Sequence, residues 1–295
     1  MSAESSVSSL EFTGERFTPE CVREIWYEHW ARYAFVLPLA RGKRVLDAAC
    51  GEGFGSALLA REAREVVGVD VSAEAVAHAQ ARYGAARNLR YLRGDCTQLD
   101  LPGAEFDLIV SMETLEHVAE QEAMLAGFAR VLVDDGIFVV SSPDKRIYSD
   151  VAGFRNEFHV RELYRGELLD LLKPHFPEVR LYGQKLLFQS AIWALGDAGP
   201  QAGLAAATAE QSGDGTTLVK SGLLYDPLYF IAVCSRRPLG ALPQIALFGD
   251  HAESVYRHYD HEVRKNIAAG GRIVELETQN EVLRAEIERL RTMSR

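Results

Sequence analysis

Residues 45–56 read VLDAACGEGFGS, and no other stretch constrains the fold as tightly. An apolar, β-branched start (Val45, Leu46) runs into Asp47, and Gly51, Gly53 and Gly55 then crowd into five positions ahead of the helix-forming Ser56-Ala57-Leu58-Leu59-Ala60. A strand, a glycine loop and a helix N-terminus in that order let the backbone approach a nucleotide-like ligand closely. Two further acids raise the value of the loop. Val66–Asp70 (VVGVD) is a second buried-strand run ending in an acid, 19 residues beyond Gly51, where a ribose-binding carboxylate belongs. Tyr91–Asp95 (YLRGD) is a third strand-like run ending in an acid.

A dinucleotide fingerprint wants G-x-G-x-x-G, with the third glycine closing helix onto strand. This loop is G-x-G-x-G, with Asp47 four residues ahead of Gly51. With the acids at the ends of the next two strands, residues 40–185 resemble the class I S-adenosylmethionine-dependent methyltransferases. The resemblance implies S-adenosyl-L-methionine as cofactor, with the backbone of Ala49, Gly51 and Gly53 facing its methionyl part. Asp70 is then expected to accept both ribose hydroxyls, since an ionised carboxylate is an acceptor that can bind two donors. Asp95, with the Cys96 backbone, is expected to address the adenine amino group. Asp47 orders the loop indirectly, and Ser111 and Met112 border the methionine end.

The rest of the chain fits this expectation. Strand and helix patterns alternate from Arg44 to Ser142, which implies a doubly wound, parallel, Rossmann-like α/β sheet with helices on both faces and the site at the strands' C-terminal edge. The expected organisation is an N-terminal segment and cap helix (1–40), a methyltransferase domain (41–238) and a C-terminal helical region (239–295). Glu24–Ala40 is an aromatic-rich helical stretch whose rings either cover the cofactor or, the favoured reading, pack the helix onto the sheet. The helix after the glycine loop is expected to reach about Ala63. Residues 196–222, small, polar and glycine-rich, read as a flexible insertion or a lid over the acceptor. Near the C-terminus a heptad places Ile273, Asn280 and Ile287 at a and Leu276, Leu283 and Leu290 at d. Branched residues at a, Leu at d and one Asn at a favour a parallel dimer, so coiled coil 272–291 points to a homodimer or a coiled-coil partner.

Composition narrows the partners. A net charge of −10 and pI near 5.4 argue against a nucleic-acid partner. No apolar run approaches the ~20 residues of a spanning helix, and MSAESSVSSL lacks the basic and apolar regions of a signal peptide. Four scattered cysteines (Cys21, Cys50, Cys96, Cys234) show no metal or disulfide spacing. The expectation is a cytoplasmic protein, not an integral membrane one.

The acceptor side falls to SMETLEHV (Ser111–Val118). Glu113, Glu116 and His117 stand at i, i+3 and i+4, so on a helical turn they share one face. His159, in NEFHV, belongs to the loop after the fifth strand and is expected to overhang the same edge. E-x-x-E-H with a distant His resembles the metal set of the small-RNA 3′-terminal 2′-O-methyltransferases, and E-x-x-E-H also occurs in ubiquinone-pathway O-methyltransferases. The resemblance implies Glu113, Glu116, His117 and His159 as ligands of a divalent ion, Mg²⁺ or Mn²⁺. The residues leave three readings open: that metal site, a metal-free site in which His117 or His159 is a general base with Glu113 beside it, and a structural one in which Glu116 caps and His117 packs.

A longer set, GERFTPE, EHWARYAF, LDAACGEGFGS, SMETLEHV, SSPDK, NEFHVREL and the Gln184 region, resembles bacterial methyltransferases found with glycosyltransferases in surface-polysaccharide and O-antigen assembly. It implies O-methylation of a sugar or glycan hydroxyl, with a glycosyltransferase among the coiled-coil partners. The alternatives are a small phenolic or polyketide acceptor, and a cofactor-binding scaffold subunit that recruits glycosyltransferases.

Overall fold

Strands buried on both faces read as near-continuous apolar runs, and consecutive side chains here go to opposite cores. Val45 joins one buried cluster and Leu46 the other; Val66 and Val67, and Phe138 and Val139, divide the same way. The structure, a computed structural model, describes residues 17–192, 206–211, 213 and 217–294. Its elements are α1 (Glu24–Val36), β1 (Arg44–Ala48), α2 (Phe54–Leu59), β2 (Glu65–Asp70), α3 (Ala73–Tyr83), β3 (Leu89–Arg93), β4 (Phe106–Ser111), α4 (Gln121–Val131) and β5 (Leu132–Pro143). There follow α5 (Arg165–Leu172), β6 (Glu178–Gln184), β7 (Ala207–Gln211), β8 (Thr217–Ser221), β9 (Tyr229–Ser235) and α6 (Ser254–Met293).

The main sheet has seven strands in the order β3-β2-β1-β4-β5-β9-β6. β1 to β5 pair in parallel, as expected of the alternating pattern. The last strand departs from the all-parallel expectation: β9 enters antiparallel between β5 and β6. An antiparallel partner of β6 can be reached without a crossover helix. The order reverses direction between β1 and β4, which opens a crevice at the strands' C-terminal ends.

Three local expectations need correcting. α2 stops at Leu59, short of Ala63, because Arg61 and Glu62 donate to Leu58 and Leu59 carbonyls in a tighter turn. In the expected insertion, 207–211 and 217–221 pair as an antiparallel ribbon; residues 196–205, 212 and 214–216 lie outside the described residues. The compact unit carrying the sheet runs to Phe248, past the expected boundary at 239. The segment beyond 239 belongs to it because Tyr182 donates its hydroxyl to the Pro243 carbonyl at 3.0 Å and Phe248 packs on Trp26 at 5.7 Å between ring centroids.

The second unit, Gly249–Arg295, contains α6, a 40-residue helix in which Val255 is buried. No helix among the described residues is long and apolar enough to cross a membrane.

Candidate active site

Between β1 and α2 the chain turns through Ala49, Gly51 and Gly53, all with positive φ (60°, 55° and 94°). Cys50 N–H donates to the Val69 carbonyl at 3.0 Å, which ties the loop to the end of β2. A Cβ on Gly53 would stand 2.6 Å from that of Ala79 and 2.9 Å from the Tyr91 hydroxyl, so glycine is required by space as well as by φ. Asp70 sits at the tip of β2 with each oxygen fixed by one backbone donor: Gly51 N–H to Oδ2 and Ser72 N–H to Oδ1, both at 2.8 Å. Each oxygen keeps a second lone pair, and the carboxylate is aimed before any ligand arrives.

Asp47 is fully buried at the foot of the loop. The Tyr33 hydroxyl donates to its Oδ1 at 3.0 Å and the Ser56 hydroxyl to its Oδ2 at 2.6 Å. Burial pushes its carboxyl up to about 6, against the pull of the two hydroxyls. Asp47 therefore pins α1 and α2 to the loop from below. Asp95 lies exposed after β3, and its Oδ1 accepts from both Thr97 N–H (2.8 Å) and Thr97 Oγ1 (2.7 Å). Cys96, Ser111 and Met112 are buried nearby in sequence or at the end of β4. Burial raises the thiols of Cys50 and Cys96 above the usual range, so neither is a nucleophile at neutral pH.

Sequence reasoning missed Glu52, inside the glycine loop. Its buried carboxylate takes His78 Nε2 at 3.0 Å, Arg82 Nη1 at 2.9 Å and the Tyr83 hydroxyl at 3.1 Å. This fastens the loop to α3; the helical spacing of the three partners was the available signal.

On the acceptor side, Leu115–His117 forms a short 3-10 turn that begins after Glu113. The expectation of one helical face for Glu113, Glu116 and His117 fails there: Glu113 has φ 49° and its carboxylate turns elsewhere. Ser141 Oγ accepts from Glu113 N–H at 2.9 Å and donates to its Oε1 at 2.6 Å, while Arg32 Nη2 lies 3.5 Å from Oε2. Glu116, His117 and His159 do come together, with one ligand atom from each within 4.8 Å of the others. Glu113 is outside that group.

Glu116 is 1% exposed and both its oxygens lack a hydrogen-bond partner. Burial, reinforced by the neighbouring Glu113 charge, pushes its carboxyl well above the ordinary range. The imidazoles are held from behind. His117 Nδ1 donates to the Phe158 carbonyl at 3.1 Å, so its lone pair is on Nε2, 3.8 Å from Glu116 Oε1. His159 Nδ1 contacts Glu162 Oε1 at 2.6 Å, and Asn156 Nδ2 donates to its Nε2 at 3.0 Å. The rings stand 4.9 Å apart, edge to face. Carbonyl or carboxylate support behind each imidazole is how metal-ligating histidines are oriented.

In sequence, Arg32, Glu28 and Gln184 stand only within the longer motif set, with no role of their own, and Tyr229 is given none. Arg32, 1% exposed, donates Nε–H to Gln184 Oε1 at 2.8 Å and lies 4.4 Å from the Tyr229 ring centroid. Gln184 in turn donates to the Glu28 carbonyl at 2.9 Å. Distances of 152 residues in sequence between such partners leave no local signal.

Over residues 46–140, within this sheet order and beside this crevice, the chain matches the methyltransferase-domain family. It is 37% identical over 169 residues to a probable S-adenosylmethionine-dependent methyltransferase of Mycolicibacterium smegmatis, covering 56% of this chain and 65% of that protein. A ubiquinone biosynthesis O-methyltransferase of Azorhizobium caulinodans is 31% identical over 147 residues, covering 49% of this chain and 58% of the other. The chain thus spans under two thirds of the length of these relatives. Among solved structures, the YcgJ protein of Bacillus subtilis matches with a TM-score of 0.49 at 17% identity, over 71% of this chain and 100% of that one.

Proposed function

We propose that the protein transfers the methyl group of S-adenosylmethionine to a hydroxyl of a sugar or glycan, with a divalent cation held by Glu116, His117 and His159. The observation that carries this reading is Glu116: a buried carboxylate with two unpartnered oxygens beside two oriented imidazoles. Such a group costs several kcal/mol unless something offsets it, and a cation bound by all three side chains does so. The donor set, one carboxylate and two imidazoles, suits Mn²⁺ at least as well as Mg²⁺. When bound, the sulfonium cofactor supplies an already activated methyl group, so positioning the acceptor provides much of the acceleration.

The chain's own residues then divide the work. Asp70 and the backbone of Ala49, Gly51 and Gly53 hold the nucleoside and methionyl parts; the Gly53 cradle, which a Cβ would fill, supports that fit. The Phe158 carbonyl keeps the His117 lone pair on Nε2, beside Glu116; Glu162 holds His159 Nδ1, and a cation on His159 Nε2 would take the place of the Asn156 amide. Glu113, clamped by Ser141 and Arg32, offers an acceptor to a neighbouring hydroxyl. A cation lowers a hydroxyl's pKa and orients it, and vicinal hydroxyls of a saccharide match it best. The O-methyltransferase name of one relative agrees with transfer to oxygen.

Titrating Mn²⁺ into the full chain, and assaying labelled cofactor against a panel of saccharides and phenols, tests this. Glu116→Gln and His159→Ala should each weaken Mn²⁺ by about 10- to 100-fold or more, with cofactor affinity unchanged. Full turnover in excess EDTA, with no measurable Mn²⁺ binding, would leave His117 as a metal-free general base and remove the cation. A methyl group found on nitrogen or carbon overturns the hydroxyl reading. The proposal also takes α6 as a parallel coiled coil that pairs two copies.

A further inference from the structure

The loop that carries His159 leaves large apolar side chains in water. Val151 is 69% exposed, Phe154 54%, Phe158 41% and Val160 60%, all within ten residues. Slackness does not explain this, because the backbone between them is fastened. Phe154 N–H donates to the Ser149 carbonyl at 3.1 Å, and Val160 and Arg161 N–H both donate to the Glu116 carbonyl at 2.8 and 3.0 Å. Phe158 N–H donates to Asn156 Oδ1 at 3.1 Å, and its carbonyl holds His117. The exposure is thus built onto the same backbone that frames the acid–imidazole cluster. Exposed Arg155 follows Phe154 and exposed Arg161 follows Val160, with Glu157 the one acid in 151–161. Elsewhere the charge balance is the opposite, since the whole chain carries −10.

We propose that this rim is a lipid-contact surface that seats the acceptor site on an anionic bilayer. Rings and valines beside guanidinium groups are the composition that suits a headgroup boundary: the apolar parts enter the acyl edge and arginine pairs with phosphate. Burying such side chains recovers the free energy that their exposure forfeits. No described helix crosses a membrane, so the contact is interfacial and reversible. Resting on the acceptor reading above, the inference sharpens the substrate class: the methylated hydroxyl belongs to a saccharide presented at a lipid surface.

Flotation of the full chain with vesicles of phosphatidylcholine, alone or mixed with phosphatidylglycerol, reads the inference directly. Binding is expected to the anionic mixture and to weaken as salt rises. Val151→Ser with Phe154→Ser, and separately Arg155→Glu, should each lower the partition coefficient at least about tenfold. Both leave the buried core untouched, so a folded variant is expected and circular dichroism checks it. Wild-type protein that stays off anionic vesicles, or variants that float as well as wild type, overturns the proposal. So does a change in sedimentation coefficient without a change in flotation, which would make the rim a contact between protein copies. Methyl transfer to a lipid-linked saccharide carried in the anionic vesicles is read separately: its absence alongside retained flotation strikes the acceptor reading alone.

Discussion

Asp47 shows how one buried residue joins stability to the cofactor loop. Its carboxyl rises from 3.8 to about 6 on burial, a difference on the order of 3 kcal/mol between its two protonation states. The folded form therefore binds the proton more tightly than the unfolded chain. Its contribution is most favourable below about pH 4 and is lost as pH rises through about 6. Asp47→Asn keeps the Tyr33 contact and removes the titration. Between about pH 5 and about pH 7.5, wild type should lose about 1–2 kcal/mol relative to that variant in urea unfolding. Groups common to both proteins cancel in the comparison. A wild type that instead gains on the variant over that interval would mean that Tyr33 and Ser56 favour the ionised form more than burial opposes it.

At the level of elements, the third glycine of the loop has a packing duty rather than a ligand one. A Cβ on Gly55 would lie 2.0 Å from the Tyr33 ring, and that ring bridges α1 to Asp47. Gly55→Ala should cost about 1–3 kcal/mol, seen as a lowered urea midpoint, and weaken cofactor binding in calorimetry as Tyr33 is displaced. Unchanged stability would show that α1 can shift without cost. The spacing that separated this loop from a dinucleotide fingerprint was legible in sequence, as were β1, β2, β4 and the end of β5, because two-sided burial writes unbroken apolar runs; edge strand β3 (LRYLR) was legible by its alternation instead. The direction of β9 was not, since a doubly buried run reads the same in either direction. The ribbon of β7 and β8 hid in a stretch of small polar residues, where its alternation is weak. At the site, E-x-x-E-H holds Glu116 and His117 of the cluster with His159, whereas Glu113 takes a left-handed φ and meets Ser141 and Arg32, which approach from β5 and α1. Periodicity along one segment carries no record of such partners.

For the molecule as a whole, α6 poses the remaining physical problem. Its ion pairs, among them Arg264–Asp260 and Arg289–Glu286, are solvent-exposed and weak. They support a helix without covering its apolar stripe. Ile273, Leu276, Leu283, Ile287 and Leu290 are between 42% and 60% exposed, at the a and d positions of one heptad frame. A second parallel copy would cover that stripe, pair Asn280 with its counterpart, and bring Arg272 and Glu286 beside the partner's Glu277 and the partner's Arg291. Leu276→Glu with Leu283→Glu should convert a dimer to a monomer in sedimentation equilibrium while cofactor affinity holds. Asn280→Ile should raise the thermal stability of the assembly and relax its stoichiometry, because a buried polar pair fixes register at a cost in stability. A wild-type chain that sediments as a monomer at tens of micromolar would leave the stripe to a different helical partner.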